Sequence, residues 1–404
     1  MDACVAVVVG HICLDIIPTM DHLPEGKLSN LLQPGHLLIT GPATFSTGGP
    51  VSNTGLALHK LGISTRLIAK IGQDPLGRIV REIIEHFDPA LSAGLVVDEK
   101  SPTSYSIILS APGVDRVFLH CPGANDTFGV EDVDYALLEK ARLMHFGYPP
   151  VMQRMYQNEG RELVDLFRRA KETGVTTSLD MTYPDADTEG GRANWLKIFE
   201  QLLPYVDVFL PSFDELFFML QRERFLRLRE KTPDGNMQGE ITSQRLAEFS
   251  SSLLQMGVKM AVIKLGDRGL YLRTADLSSL QKMGRAAPTI PLDWAERELW
   301  SACYKTRVVG TTGAGDATIA GFLSALLRGF SPTEAVKIAV AVGACNVEAA
   351  DALSGLRTWE ETLGRIEAGW DHLPLQLDEP GWREVEPGLW ERRVSLRLEN
   401  DDLE

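Results

Sequence analysis

Residues 3–9, ACVAVVV, are an unbroken apolar run that stops at Gly10. A strand of that kind is buried on both faces, so the fold must place helices above and below it. The rest of the chain supplies them. PVSNTGLALHKL (50–61) predicts a helix closed by Gly62, STRLIAKIG a strand, and GRIVREIIEHF a second helix. The alternation continues through ELVDLFRRAKETG, VTTSLD, VDVFLP, RLAEFSSSLLQMG and MAVIKLG to two helices after residue 315. Strands alternating with helices of this length predict βαβ units: an α/β protein with a central, mostly parallel sheet.

Two stretches break the rhythm. TSYSIILSAPGVDRVFLHCP (103–122) reads as a hairpin around Pro112-Gly113, and residues 12–45 as a loop-rich excursion. Together they predict a small β-sheet lid over one end of the main sheet. Residues 222–243 and 275–306, the latter with Trp294 and Trp300, read as insertions into a main unit of about 1–368. The tail, 369–404, holds Trp370, Trp382 and Trp390, enough tryptophan to predict that it packs against something.

The net charge is −15, with no basic block, which argues against a nucleic-acid partner but not against a small anion held locally. The cysteines Cys4, Cys13, Cys121, Cys303 and Cys345 form no C-x-x-C pair. Cys4, Cys13 and Cys345 lie in apolar runs and read as buried thiols, which suits a reducing cytoplasm. No secretion signal and no membrane-spanning stretch are expected.

The chemistry is concentrated in TTGAGD, residues 311–316, which opens the apolar helix ATIAGFLSALLRG. Small residues at a helix entrance let a ligand approach the outward-pointing amides and the positive end of the helix dipole, which makes an anion site at Gly313, Ala314 and Gly315. An acid in the same place would repel a phosphate. Asp316 is instead suited to take a proton from a hydroxyl attacking a phosphorus held by those amides. The plainer alternative is that Asp316 only caps the helix. The chain has no G-x-x-x-x-G-K-[ST] loop.

TTGAGDATIAGF (311–322) and GGPVSNTGLALHKLG (48–62) resemble the two signatures of the ribokinase-like (PfkB-type) sugar and nucleoside kinases. GHICLD with Asp15, KIGQDPLG with Asp74, PGAN at 122–125, VDVFLPSFDEL with Glu215 and KLGDRG at 264–269 follow the family's order, from residue 3 to about 365. The resemblance implies a three-layer fold with a β lid and ATP-dependent phosphorylation of a sugar-like alcohol. Asp316 would be the base, with Gly313, Ala314 and Gly315 holding the developing charge. Asp15, Gly48, Gly49 and Asn53 would hold the substrate beneath the lid. Lys264, Gly266, Gly269, Thr312 and Ser212 would lie along the nucleotide, and Glu215 would orient magnesium-bound water.

The chain also departs from the family. Gly310 replaces the Asp that in many members helps a monovalent cation bind, so activation by potassium does not follow from the resemblance. Ser212 replaces an Asn, Pro50 a Lys, and Tyr148-Pro149 occupy the region of a sugar-binding acid, which makes ribose less expected than other sugars. Two rival readings are a nucleoside kinase, with Tyr105, Phe118 or Phe128 stacking a base, and an inactive relative that only binds a sugar or nucleotide. The apolar side of the lid predicts a homodimer in which two lids cover each other.

Overall fold

The computed structural model describes residues 5–20, 34–35, 37–110, 112, 117–232, 237–377 and 379–392. Cys4, Gly113, much of the 12–45 excursion, part of 222–243 and residues 393–404 lie outside these.

The described strands are β1 (Ala6–Gly10), β2 (Cys13–Pro18), β3 (Ala43–Gly48), β4 (Thr65–Gly72), β5 (Leu95–Asp98), β6 (Tyr105–Leu109) and β7 (Val117–Cys121). They continue as β8 (Leu143–Gly147), β9 (Thr176–Asp180), β10 (Val208–Phe209), β11 (Met260–Lys264), β12 (Leu270–Thr274), β13 (Glu298–Ser301), β14 (Trp382–Glu386) and β15 (Leu389–Arg392). The main sheet runs β14-β15-β13-β12-β11-β10-β9-β8-β1-β4-β5. It is parallel from β5 to β11 and antiparallel from β12 outward.

Alternation along β1 shows why helices are needed on both sides. Ala6 and Val8 belong to one core, Val7 and Val9 to the other, and all four are fully buried. On the first side pack helices α1 (Pro50–Lys60) and α2 (Pro75–Phe87). Across the sheet lie α3 (Gln153–Glu172, broken at Gln157–Gly160), α4 (Trp195–Leu202), α5 (Phe213–Leu220) and α6 (Ser243–Gln255). The first side also holds α7 (Ala314–Leu327) and α8 (Pro332–Asn346), which approach so closely that a Cβ at Gly321 would lie 2.9 Å from the Ala339 Cα. The result is the expected three-layer architecture.

The lid is a second sheet, ordered β3-β2-β6-β7, parallel only between β2 and β6. Its two roots are fastened by family-like motifs. Asn125 of PGAN bonds both backbone groups of Ile12, at 3.2 and 2.9 Å, just before β2. Asp74 caps α2 through the Gly77 amide and also accepts from the Thr103 amide and hydroxyl, just before β6.

One sequence expectation needs correction, and another is met. Trp300 lies in β13, a fully buried strand of the main sheet, so 275–306 is not a simple insertion. The tail packs as expected: Trp370 stacks on Tyr304, and Trp382 and Trp390 lie in the hairpin at the far edge of the main sheet, where β15 pairs with β13 and β14 with β15.

Candidate active site

The cleft between the lid and the strand ends of the main sheet encloses about 980 Å3. Asp316, Asn53, Gly48, Gly49, Asp15, Thr312 and Gly313 all line it, from segments up to 301 residues apart in sequence (Asp15 to Asp316).

Gly313 is the N-cap of α7, with a left-handed backbone (φ 72°), and a Cβ there would lie 2.9 Å from the Ala352 Cα. That geometry turns the chain into the helix and sets Asp316 in its first turn. The Ala314 amide is drawn into the turn itself, 3.3 Å from the Thr311 carbonyl. Gly315 has a different neighbour from the one expected: a Cβ there would sit in ordinary contact, 3.7 Å from the Lys264 Nζ. The helix entrance is therefore flanked by an ammonium group.

Asp316 is 3% exposed, and three donors hold it. Asn53 Nδ2 donates to Oδ2 at 3.0 Å, the Tyr148 hydroxyl to Oδ2 at 3.1 Å, and the Thr54 hydroxyl to Oδ1 at 3.1 Å. Two carboxylate oxygens offer about four lone-pair sites, so one on Oδ1 remains for an incoming hydroxyl. Burial raises the Asp316 pKa, against the lowering effects of Asn53, Lys264, Tyr148 and Thr54, which makes it a stronger base than an exposed aspartate. A residue that only capped the helix would accept from the backbone of α7; this one faces side chains of other elements.

Lys264 closes the other side. Its Nζ lies 2.5 Å from Asp180 Oδ1, the pair being 12% and 2% exposed. Burial works against the ammonium, yet Asp180, Glu215 and Asp316 together outweigh it and raise its pKa. Burial likewise raises Asp180 and Glu215, with Lys264 opposing. Burial thus raises the three carboxyls despite the ammonium, and the three carboxylates raise the ammonium despite burial, so all four groups hold protons more tightly.

Glu215 is not a free loop acid: it accepts from the Ser212 amide at 2.6 Å, and the Ser212 hydroxyl accepts from the Glu215 amide at 3.3 Å, a reciprocal cap on α5. Ser212 bridges to Lys264, so the pair adjoins the cluster. Gly266 and Gly269 shape the turn from β11 to β12, and a Cβ at Gly269 would overlap the Ser301 carbonyl. Gly269 thus serves packing against β13, while a Cβ at Gly266 would meet open space. A side chain at Gly310 would lie 2.9 Å from the Ala349 carbonyl, leaving no room for an aspartate.

Beneath the lid, Asp15 pairs across β2–β6 with Ser106, and Ser106 across β6–β7 with His120, a row facing the cleft. Burial pushes Asp15 up to about 6, and Cys13 and Ser106 oppose the shift. Gly48 is small because a Cβ would overlap Asp15 Oδ2, and Gly49 (φ 85°) because a Cβ would lie 2.5 Å from His11 Nδ1. Asn53 Oδ1 and Thr312 Oγ1 are buried without hydrogen-bond partners.

Sequence reasoning missed Asp180, Thr54, His11 and His120. Asp180 ends a buried strand, a usable signal; the others have no local cue.

The pfkB family carbohydrate kinase model matches residues 6–359. An uncharacterized sugar kinase of Archaeoglobus fulgidus is 26% identical over 301 residues, 74% of this chain and 98% of that protein. The 2-dehydro-3-deoxygluconokinase of Bacillus subtilis is 24% identical, covering 81% of this chain and 89% of its own length. The ribokinase of Thermotoga maritima superposes with a TM-score of 0.64 at 22% identity, over 90% of this chain and 99% of its own, a likeness of fold. The chain belongs to the PfkB family of carbohydrate kinases. It is a sugar kinase, a phosphotransferase that uses ATP and an alcohol acceptor.

Proposed function

We propose that Asp316 takes the proton from a substrate hydroxyl as that hydroxyl attacks the γ-phosphorus of ATP, while the amides around Gly313–Gly315 receive the phosphoryl group. The supporting observation is the free Oδ1 site on a buried, three-donor carboxylate beside the entrance of α7. Lys264, 3.7 Å from a Cβ at Gly315, adds positive charge where phosphoryl oxygens would lie. Asp15 accepts two substrate hydroxyl bonds, and Asn53 Oδ1 a third. Gly266 and Thr312 border the nucleotide.

Magnesium fits this donor set. Asp180, Glu215 and Asp316 exceed Lys264 in charge, so a phosphate-rich ligand needs a cation there. Among the described residues no cluster can hold a metal alone, which suits an ion carried by the nucleotide with Glu215 orienting its water. When bound, such an ion neutralises phosphate charge. The crowding at Gly310 argues against a monovalent-cation site of the usual kind.

Residues 1–368 form the kinase unit in this reading and 369–404 its tail, whose hairpin at 382–392 extends the sheet. No helix among the described residues is long and apolar enough to cross a membrane, and a cytoplasmic enzyme is consistent with that. Phe45 (47% exposed) and Leu119 (52%) leave the lid face opposite the cleft apolar toward water, which favours a homodimer closed through the lids. Leu119→Asp then gives a monomer by light scattering; a wild-type monomer at micromolar concentration would rule the dimer out.

The base is tested by Asp316→Asn. Turnover should fall by about 100-fold or more with nucleotide affinity kept, as expected on losing a general base. Near-normal turnover would return Asp316 to a structural role.

A further inference from the structure

The charge of the cleft is one-sided. Its described lining carries Asp15, Asp126, Asp185 and Asp316 and no lysine or arginine. Lys264, the nearby ammonium, is paired with Asp180.

His11 supplies a second, independent observation. It is 4% exposed, lines the cleft, and has no hydrogen-bond partner at either Nδ1 or Nε2. Buried polar atoms nearly always have a partner, and at this position one can come only from the cleft, a ligand or water there. Its ring centroid lies 5.3 Å from that of His120 and 6.1 Å from that of Tyr148. His120 is fixed by Ser106, its Nδ1 being 3.0 Å from the Ser106 hydroxyl.

We propose that His11 and His120 form a neutral imidazole pair that binds hydroxyls of an uncharged polyol acceptor, and that the cleft discriminates against sugar acids and sugar phosphates. A neutral imidazole presents one donor and one acceptor nitrogen, which matches a hydroxyl that both donates and accepts. An imidazolium has two donors and would suit an anion, but burial drives His11 down to about 3, aided by His120, and also lowers His120. Neither ring offers positive charge at neutral pH. A carboxylate or phosphate on the acceptor would meet aspartates with no counter-charge among the described lining residues, and a cationic acceptor would leave the donor nitrogens unused. Glycine at 49 is part of the arrangement, since any side chain there would strike His11 Nδ1.

The inference rests on the kinase reading for the identity of the cleft as the acceptor site, and binding separates the two. Full-length protein with a non-hydrolysable ATP analogue is titrated calorimetrically with fructose, ribose, glucose and myo-inositol. The anionic probes are 2-dehydro-3-deoxygluconate and fructose 6-phosphate, and transfer from ATP is followed separately. At least one neutral compound should bind tenfold or more tightly than either anion. His11→Phe, which keeps the ring and removes both nitrogens, should weaken that binding at least tenfold with analogue affinity unchanged, and His11→Gln should restore part of it. Should His11→Phe not fold, His120→Phe carries the same readout. An anion binding as tightly as the best neutral compound overturns the proposal, as does no neutral binding or an unaltered His11→Phe. Neutral binding without transfer leaves it standing and sinks the kinase reading; transfer to an anion does the reverse.

Discussion

The two ends of the cleft are built on opposite lines. At the main-sheet end the charged groups are already engaged: Asp316 has three donors, and Lys264 is paired with Asp180. At the lid end both nitrogens of His11 lack partners, and Asp15 is lifted to about 6 by burial. A reaction centre needs groups held in place before substrate arrives, since preorganisation is what lowers a barrier. A recognition surface needs unmet hydrogen-bonding capacity, which only the right ligand fills.

That contrast can be broken at its strongest point. Lys264→Met leaves Asp180 buried and unpaired, and should lower stability by ~3–5 kcal/mol in denaturant unfolding. Adding Asp180→Leu should recover most of the stability but none of the activity. A single-variant cost below about 1 kcal/mol would mean that water reaches the pair and that this end is not preorganised.

A smaller effect is expected at Tyr148. Its backbone is left-handed (φ 64°), uncommon for a bulky residue, and the conformation aims its hydroxyl at Asp316 Oδ2. Tyr148→Phe removes one of three bonds to a charged group, ~1.5–3 kcal/mol if fully expressed in the barrier, so turnover should fall about tenfold or more. The acceptor KM should stay nearly constant. A change confined to KM would move Tyr148 to the recognition end.

The smallest concerns pH. Asp15 accepts substrate hydroxyls on both oxygens, and most strongly, when ionised, so acceptor affinity should improve several-fold as pH rises through about 6, and Asp15→Asn should flatten the profile. Stability runs the other way. A carboxyl whose folded pKa exceeds the unfolded value of about 3.9 favours the fold most when protonated, and that contribution is lost as pH rises from about 4 through 6. Thermal unfolding of wild type and Asp15→Asn across that window checks the sign.

The same division governs what could be read in the sequence. The α/β order, the lid and the Gly313–Asp316 turn were legible because each is written in contiguous residues: apolar runs, a Gly-rich helix entrance, strands around a turn. Asp180 shows in the sequence only as the acid ending a buried strand; its role comes from Lys264, 84 positions away. His11 was hidden for a similar reason: its lack of partners exists only once Gly49 and His120 are folded around it. Trp300 misled because β13 is four residues long, too short for periodicity to separate a strand from a loop.

The hairpin at residues 382–392 has a consequence beyond packing tryptophan. It lies past the family match at 359 and covers β13, whose ELWS is wholly buried. Without it, the sheet would end on an apolar strand with unpaired amides and carbonyls, a template on which a second molecule could add its own strand. The outermost strand is instead WREVE, with Arg383, Glu384 and Glu386 turned to water. Charge of that kind discourages further pairing. The appended hairpin thus works as a terminator, keeping an eleven-stranded sheet from growing into a twelfth strand borrowed from a neighbour.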